Sequence, residues 1–419
     1  MLLLSNSMKR EKRNNPSGHL RQGWSQPMPR MFMGLVVWGI VVAPTLTTGQ
    51  TVTQVQSDQE LRAALSSARA GTTIQIAPGI YQGGMASSTL QGESDKPIVI
   101  AGQDPKNPPT IKGGNAAFHL SGATHVEIRD LIFTNASGNG LNLDDGGTKK
   151  QPSHHIKIRN VKVTDVGPEG NHDGFKLSGI DEFEVSSCLF ERWGSGGSGI
   201  DMVGCHKGTI ANCTFRYNDR VQANGVQAKG GSQDIAVRYC RFEHAGNRGV
   251  NLGGSTGTPY FRPLAPGYEA KNITVEHCTF IGCQAPVAFV GVDGAIVRRN
   301  TMYQPGRWAL RILQENRDPS FVPSRNGQFY ENIIAFRFGE LAQAINIGPG
   351  TAPDTFRLDR NAWYCVDRPT RSQPKFDVPE SDGIYGRDPE FQDVESLDLR
   401  LKDSSQLRHL GAQPEPVAP

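Results

Sequence analysis

The stretch that decides the fold is Val185-Ser186-Ser187-Cys188-Leu189-Phe190, because its pattern returns along the chain. Three close copies occupy residues 210–215, 237–242 and 275–280. Looser copies end at Phe133, Val163, Met302, Ile334 and Trp363, so that successive copies end 22 to 38 residues apart by subtraction of these numbers. A period of this length indicates a stacked repeat, because one such unit cannot bury its apolar side alone.

The residues within each repeat indicate its type. Apolar and polar residues alternate in every copy, which is typical of a strand. A second alternating segment, opened by glycine, follows within about a dozen residues, as at 174–177, 199–202, 225–228 and 249–252. Short strands separated by turns, with no helical pattern between them, predict an all-β solenoid: a single-stranded parallel β-helix. A leucine-rich repeat or a propeller blade would carry a different signature or a longer period.

Composition and charge exclude some classes of partner. The 419 residues include 48 glycines, which suit a chain with many turns. The net charge of +3 comes from the first 49 residues, which hold six Lys or Arg and one Glu; the remainder has 38 basic and 40 acidic residues, or −2. Nucleic-acid binding therefore gains no support from the total charge, and attraction for a polyanion requires a local patch.

The chain is expected to have four parts. Residues 1–49 resemble an export leader, with a basic stretch before a short apolar run; a short membrane anchor is the alternative. Residues 50–72 are predicted to hold a capping helix that Ser57-Asp58-Gln59-Glu60 begins as a capping box. The β-helix is expected over 73–365 with a protruding inserted loop at 254–270, followed by an irregular cap and tail over 366–419. We expect a secreted, periplasmic or cell-surface protein that is a monomer and has no stable membrane insertion after leader removal.

Cysteine placement predicts packing rather than disulfides. Cys188, Cys213, Cys240 and Cys278 occupy the same slot of consecutive repeats, so stacking separates them by about one strand spacing, ~4.8 Å. That separation is slightly beyond the ~3.5–4.5 Å between the Cβ atoms of a disulfide. Asn300, Asn332 and Asn361 take over this slot, where stacked amides can hydrogen-bond along the column.

Coils in register place every second residue of the glycine-led strands in outward-facing rows. The first row is predicted to contain Asn142, Lys176, Asp201, Gln227, Asn251, Ala288, Arg311 and Asn346. The second row is predicted to contain Asp144, Ser178, Val203, Lys229, Gly253 and Val290. Turns before these strands supply His172, Asp173, Asn224, Arg248 and Trp308, and the inserted loop supplies Tyr260 and Arg262. Charged and aromatic groups along one groove suit an extended polysaccharide better than a small molecule.

Each of these residues also has a structural interpretation. Lys176 and Asp201 can form an exposed ion pair of little energetic weight. Asn224 and Asn251 can be turn and ladder residues, and Arg248 can fasten a turn. Lys229 is harder to assign to structure, because it lies mid-strand on the outward face between small residues.

The opening segment adds a resemblance to a known family. Residues 57–81, with Ile74-Gln75-Ile76-Ala77-Pro78-Gly79-Ile80-Tyr81, and then 96–100 resemble the chondroitinase B and alginate lyase family. That resemblance implies a right-handed β-helix that cleaves uronate chains by β-elimination with a Lys base, an Arg and calcium. Residues 224–235 resemble the family's base-bearing strand, with Lys229 at the Lys position. The upstream metal ligands fall near Gln222 and Asn224, neither a carboxylate, and the Arg falls near Gly253, a turn from Arg248.

The expected function follows from this chemistry. A uronate C5 proton becomes removable when its carboxylate is neutralised and the developing charge is stabilised. The expected catalytic residues are Lys229, Arg248 and Lys176, with Asp173 and Asp201 as calcium ligands. The expected substrate-binding residues are Asn224, Gln227, Asn251, Tyr260, Arg262, Trp308 and Arg311. Two alternatives stay open: a hydrolase, since 171–175 resembles the Asn-x-Asp-Gly element of polygalacturonases, and a noncatalytic carbohydrate-binding protein.

Overall fold

The computed structural model describes residues 51–218, 222–341 and 343–415. The expected export leader at 1–49 and the last residues of the tail lie outside this part of the chain. The described residues form short strands joined by turns, together with one α-helix, α1 (Asp58–Ser67), and three 3-10 turns at Thr258–Tyr260, Pro353–Thr355 and Pro369–Arg371.

The strands, numbered in chain order, have the following bounds. The first half comprises β1 Thr51–Val55, β2 Thr72–Ile76, β3 Ile80–Gln82, β4 Met85–Ser87, β5 Ile98–Gly102, β6 Thr110–Lys112, β7 Phe118–Ser121, β8 Thr124–Thr134, β9 Leu141–Asp144, β10 Ser153–Thr164, β11 Phe175–Ser178, β12 Ile180–Ser186, β13 Leu189–Glu191, β14 Ser198–Val203, β15 His206–Ala211, β16 Thr214–Arg216, β17 Asn224–Lys229 and β18 Ser232–Arg238. The second half comprises β19 Arg241–Glu243, β20 Arg248–Gly253, β21 Ala270–Glu276, β22 Thr279–Ile281, β23 Ala285–Val290, β24 Val292–Arg298, β25 Thr301–Tyr303, β26 Leu310–Leu313, β27 Arg325–Tyr330, β28 Ile333–Phe336, β29 Ile345–Ile347, β30 Arg357–Asp359, β31 Ala362–Cys365, β32 Glu380–Ser381, β33 Ile384–Tyr385, β34 Phe391–Asp393 and β35 Asp398–Leu401.

These strands stack coil upon coil as a parallel β-helix, as the repeat predicts, and the coils have the right hand that the family resemblance implies. Within the described residues, ten strands form one parallel sheet, in the order β29-β26-β23-β20-β17-β14-β11-β9-β7-β4. We call it the ten-stranded sheet. A second parallel sheet of 23 strands closes the rest of each coil, and β34 and β35 form a separate antiparallel pair.

The repeated phrase builds the centre of the core. Phe190, Phe215, Phe242 and Phe280 are register partners in consecutive coils, and their buried rings stack at centroid distances of 4.8 Å. Met302, Ile334 and Trp363 continue the same column. Each fully buried large side chain contributes about 1.5–3 kcal/mol. The aromatic column therefore fixes the register that the repeat predicts.

Glycine opens the strands of the ten-stranded sheet because the coils leave no room for a side chain. A Cβ atom at Gly225 would lie 2.5 Å from the carbonyl oxygen of Gly249 and 2.7 Å from a ring carbon of Phe242. The same conflict occurs at Gly199, 2.6 Å from a ring carbon of Phe215. Glycine and phenylalanine therefore recur together.

The predicted thiol and amide column is confirmed. All seven cysteines are buried and free of disulfides, including the four in the repeated slot. Asn300 Nδ2 donates to Asn332 Oδ1 at 3.0 Å, and Asn332 Nδ2 donates to Asn361 Oδ1 at 2.9 Å. Because each buried amide satisfies its neighbour, this column tolerates polar groups in the core.

The ends of the solenoid differ from the expected bounds of 73 and 365. Strand β1 precedes α1 and pairs with β2, while β32 and β33 pair with β30 and β31. The coils therefore run from Thr51 to Tyr385. Helix α1 begins after Ser57, whose side chain accepts from Glu60 N, and it buries Leu61, Ala64 and Leu65. In sequence, the helix lies between β1 and β2, which are the first two strands of the stack.

Candidate functional site on the ten-stranded sheet

The register of the first row is confirmed residue by residue, although Asp201, Asn251 and Ala288 in it are buried. Lys176 pairs with Asn142 and Asp201, Asp201 with Gln227, and Gln227 with Asn251. Ala288, Arg311 and Asn346 follow in the next coils. The apolar residues between them, such as Phe175 and Leu177, belong to the core. Side chains distant in sequence thus become neighbours on one face.

The second row brings Lys229 beside this first row. Asp144, Ser178, Val203 and Lys229 occupy it in consecutive coils. The Lys229 side chain is 14% exposed, and the backbone of Gly254 lies beside its stem, since a Cβ there would be 3.3 Å from Lys229 Cδ. Lys229 is therefore outward-facing but sheltered.

Four charged residues form what we call the lysine–aspartate cluster: Asp173, Lys176, Asp201 and Lys229. Lys229 Nζ lies 3.4 Å from Asp201 Oδ1, and Lys176 Nζ lies 3.6 Å from Asp173 Oδ2. Lys176 also hydrogen-bonds Asp201 Oδ2. Both carboxylates are almost fully buried, whereas the Lys176 side chain is 27% exposed. The carboxylates therefore lie beneath two ammonium groups that face the groove.

Burial and mutual repulsion set the protonation of the cluster. Burial, with the Asp201 carboxylate adding to it, raises the pKa of Asp173 to about 7. Burial also opposes ionisation of Asp201, but the Lys176 and Lys229 ammonium groups outweigh it and lower the pKa of Asp201. Burial lowers the pKa of Lys176, and the two carboxylates outweigh that effect and raise it. With Asp173 protonated, two ammonium groups face one carboxylate.

The two carboxylates are a poor fit for calcium in this arrangement. Ca²⁺ takes 6–8 oxygen ligands, whereas the Lys176 ammonium already contacts both Asp173 and Asp201. Asp201 Oδ1 is buried and finds no hydrogen-bond donor among the described residues, although Lys229 is its ion-pair partner. The Lys176 ammonium group thus occupies the place that a calcium ion would take between the two carboxylates.

Arg248 pairs in register with Asn224 and lies one coil further along the ten-stranded sheet. Its guanidinium donates to Asn251 Oδ1 at 3.0 Å and to Glu315 Oε1 at 2.5 Å, while Nε is buried with no acceptor among the described residues. Glu315 was not anticipated as its partner. The structure therefore ties Arg248 to Asn251 and Glu315, and it records no contact between Arg248 and the lysine–aspartate cluster.

Arg311 and Trp308 form a second feature of the groove. The guanidinium of Arg311 lies over the Trp308 ring at 4.2 Å, and Arg307 lies over the same ring at 4.3 Å. Burial, together with the charge of Arg248, lowers the pKa of Arg311 to about 10. This part of the groove combines cations with an aromatic surface.

Amide groups connect the neighbouring coils. Gln227 Nε2 donates to the carbonyl of Gly253 at 3.3 Å, and Asn251 Nδ2 donates to the same oxygen at 3.2 Å. Asn224 lies 3.5 Å from Gln227 Oε1. Asn224 and Asn251 are buried. These contacts match their structural interpretation, and Gln227 is the more accessible of the three.

The inserted loop folds back on the coils instead of protruding freely. Buried Glu269 accepts from Gly230 N and Thr256 N, which fastens the base of the loop to the strand that carries Lys229. Tyr260 remains 71% exposed at its far end. Arg262 donates to Asp181 and to the carbonyl of Gly204, so its guanidinium is committed to holding the loop. The assignment of Arg262 to substrate binding is therefore not supported.

His119 was not assigned to the first row from the sequence. His119 pairs with Asn142 and extends the first row, and its Nε2 lies 2.6 Å from Asp144 Oδ2. Burial raises the pKa of Asp144, but hydrogen bonds from His119 and the backbone outweigh it and lower that pKa. The strand begins without glycine, so the signal that marks later coils is missing. Its alternating Phe118-His119-Leu120-Ser121 is the pattern that identifies it.

Two protein families match parts of the chain. The family model described as right handed beta helix region matches residues 116–306, and the family model of chondroitinase B matches residues 55–174. The chain is a β-helix protein whose first part is similar to chondroitinase B. The chondroitinase B match ends before Lys176, so it does not extend over Asp201 and Lys229. No curated protein matches the chain in sequence.

The solved structures that are similar to this chain carry different activities. Pectate lyase Pel9A is 11% identical and covers 88% of this chain and 94% of its own, with a TM-score of 0.56. The A-module of the Azotobacter vinelandii mannuronan C-5 epimerase AlgE4 is 15% identical, over 78% and 96%, with a TM-score of 0.50. A lacto-N-biosidase from Eubacterium ramulus is 13% identical, over 80% and 68%, with a TM-score of 0.50.

At these identities the likeness shows the β-helix fold alone, because one fold hosts several chemistries. Across the described residues, no helix has the length and apolar character to cross a membrane. The choice of chemistry rests on the side chains of the groove.

Proposed function

We propose that the chain binds a uronate-containing acidic polysaccharide along the ten-stranded sheet and cleaves it by β-elimination. The observation that carries this proposal is the lysine–aspartate cluster, in which buried carboxylates hold the Lys176 and Lys229 ammonium groups at the floor of an outward row. Fixed cations beneath a groove stabilise anionic charge without reorganisation during the reaction. Exposed Tyr260 and the Trp308 region supply apolar surface for sugar rings.

The proposed reaction begins with neutralisation of the uronate carboxylate by Lys176. Lys229 first releases its ammonium proton to water and then, as the free amine, removes the C5 proton, and the C–H electron pair forms the double bond between C4 and C5. The bond from C4 to the glycosidic oxygen breaks, and the leaving oxygen takes a proton from the Lys229 ammonium. One lysine thus accepts and returns a proton, so the elimination balances without added water.

Geometry supports a base role for Lys229. Its side chain is 14% exposed in the second row, and its Nζ lies 3.4 Å from Asp201 Oδ1, whereas Lys176 Nζ contacts both Asp173 and Asp201. Lys229 is therefore the cluster member we propose as base.

We propose that this elimination proceeds without calcium. The Lys176 ammonium supplies the positive charge that a metal would otherwise bring to the uronate carboxylate. The expected observation is product formation that persists in the presence of a calcium chelator. Loss of product with the chelator and its recovery with added Ca²⁺ would contradict this part of the proposal.

Inverting hydrolysis is a weaker alternative. It needs two carboxyl groups roughly 6.5–9.5 Å apart. Asp173 Oδ2 and Asp201 Oδ2 contact the same Lys176 Nζ, at 3.6 Å and at a shorter distance, which holds them closer together than that range. Both carboxylates also lie beneath the lysines. A noncatalytic binding role uses the same cations but predicts no new chain ends.

The deciding experiment incubates the purified protein with alginate, chondroitin, dermatan and pectate, with and without calcium. β-Elimination produces unsaturated uronate ends that absorb ultraviolet light, and we expect them from at least one of these chains. Reducing ends without this absorbance would indicate a hydrolase. Retention of a polysaccharide without new ends would leave a binding function and overturn the enzymatic proposal.

We also propose that the protein is exported, since such polysaccharides are found outside cells and residues 1–49 carry a leader-like pattern. Recovery outside the cytoplasm of a chain cleaved near residue 49 would support export. An uncleaved cytoplasmic chain would contradict it.

A further inference from the structure

Three histidines meet on the 23-stranded sheet, away from the groove. Thr124 pairs with His154, and Val126 pairs with Ile156, so His125 and His155 occupy equivalent corners of adjacent coils. Both corners are left-handed, with φ of 48° and 55°. Glu182 occupies the corner of the next coil, with φ of 54°. Stacked corners therefore aim these side chains at one another.

The imidazole rings are in direct contact. His125 and His155 stack with centroids 4.3 Å apart, and His154 meets His155 edge-on at 5.0 Å. His154 Nδ1 lies 2.8 Å from His155 Nδ1, and one ligand nitrogen from each ring lies within 4.8 Å of the others. A tetrahedral ion with bonds of about 2.0–2.1 Å separates its ligand atoms by about 3.3 Å. The 2.8 Å distance between His154 Nδ1 and His155 Nδ1 lies below that value, and the 4.8 Å limit for the three nitrogens lies above it.

We propose that His125, His154 and His155 form a binding site for a divalent transition metal, with Zn²⁺ as the best match. Imidazole nitrogen is a preferred ligand of zinc, and three histidines leave a fourth position for water or another donor. All three are at least partly accessible to solvent, so small ring rotations can bring the nitrogens to coordination distance.

Glu182 contacts one of the three histidines and can orient it for metal binding. Its Oε2 lies 2.7 Å from His155 Nε2, so His155 can donate from Nε2 and present Nδ1 to the metal. A carboxylate that orients a ligand histidine in this way typically changes metal affinity 10–100-fold. Lys207 lies 3.4 Å from the other Glu182 oxygen and holds that carboxylate in place. A bound ion would link the coils of β8 and β10.

Calorimetric titration of the full chain, produced without a histidine tag, with Zn²⁺ tests this site. We expect one Zn²⁺ per chain, at least a 30-fold loss of affinity in His155→Asn and about a tenfold loss in Glu182→Gln. Asparagine tolerates the left-handed corner, so His155→Asn is expected to stay folded, as circular dichroism would verify. His409→Asn, at an exposed histidine elsewhere, is the control and is expected to bind as the wild type does.

Substitution of Co²⁺ for Zn²⁺ gives a second readout, because tetrahedral Co²⁺ absorbs strongly in visible light. We expect this absorption in the wild type and its loss in His125→Asn. Wild-type stoichiometry and affinity in both histidine variants would show adventitious binding elsewhere and overturn the proposal. No binding of Zn²⁺ by the folded wild type would also overturn it.

Discussion

Lys229 Nζ lies 3.4 Å from Asp201 Oδ1, across two adjacent strands of the ten-stranded sheet. The contact is an ion pair over a carboxylate that Lys176 also holds, and it depends on the pairing of Val203 with Lys229 in register. Residues of three coils thereby share one charge. The candidate site therefore depends on the register in which these strands pair.

Replacement of Asp201 by Asn is expected to destabilise the fold. The substitution keeps the shape but leaves two lysines without their shared carboxylate, and loss of one partner of a buried ion pair costs about 3–5 kcal/mol. Because both lysines retain some access to water, we expect about 3 kcal/mol, at the lower end of that range. Urea denaturation measures it. Lys112→Ala, at an exposed lysine, is the control, and a change in Asp201→Asn no larger than in this control would contradict the prediction.

Asp173 is expected to make stability depend on pH. Its pKa is raised from 3.8 to about 7 in the folded chain, so the folded state binds a proton that the unfolded state has released. This contribution is complete below pH 4 and is lost as the pH rises through about 7. The unfolding free energy of the wild type, minus that of Asp173→Asn, should therefore fall between pH 4 and pH 8. A flat difference would contradict the raised pKa.

Tyr260 is expected to contribute to polysaccharide binding. Its ring is 71% exposed on the inserted loop that Glu269 anchors beside Lys229. Aromatic contacts contribute about 0.5–1.5 kcal/mol, so Tyr260→Ala should raise KM roughly 2- to 12-fold with little change in kcat. Tyr217→Ala, at another exposed tyrosine, is the matched control. An equal effect in both variants would exclude a specific role for Tyr260.

The asparagine column is expected to be sensitive to truncation. Asn332 is fully buried and exchanges hydrogen bonds with Asn300 and Asn361. Asn332→Ala leaves buried partners unsatisfied, at about 1–3 kcal/mol for each group. Asn332→Cys, which copies the residue of earlier coils, should destabilise less because a thiol can donate to a backbone carbonyl. Thermal denaturation distinguishes them, and an equal loss in both would contradict the interchangeability of the slot.

The regular part of this protein was predictable, because a stacked repeat converts sequence period into register. The pairing of Phe190 with Phe215 follows from the repeated phrase, and the two rows follow from the glycine-led strands at a recurring spacing. The ends were not, since β1 lies before the capping helix and an irregular segment separates β31 from β33.

Contacts outside the period were also missed. Arg262 was assigned to the groove, but its partner Asp181 lies on another strand that only the folded loop reaches. His119 lacks the opening glycine. The histidine site depends on left-handed corners that the alternation of polar and apolar residues does not mark. Loop docking and corner geometry are tertiary properties, which local patterns do not determine.

The most direct test of the account is mass analysis of the products that wild type and Lys229→Met release from a uronate polysaccharide. Methionine keeps the length of the side chain and removes the amine. The account predicts unsaturated oligomers, lighter by one water than hydrolysis products, from the wild type, and at least a 100-fold lower yield from a folded Lys229→Met. Saturated products, or an undiminished yield from Lys229→Met, would contradict it.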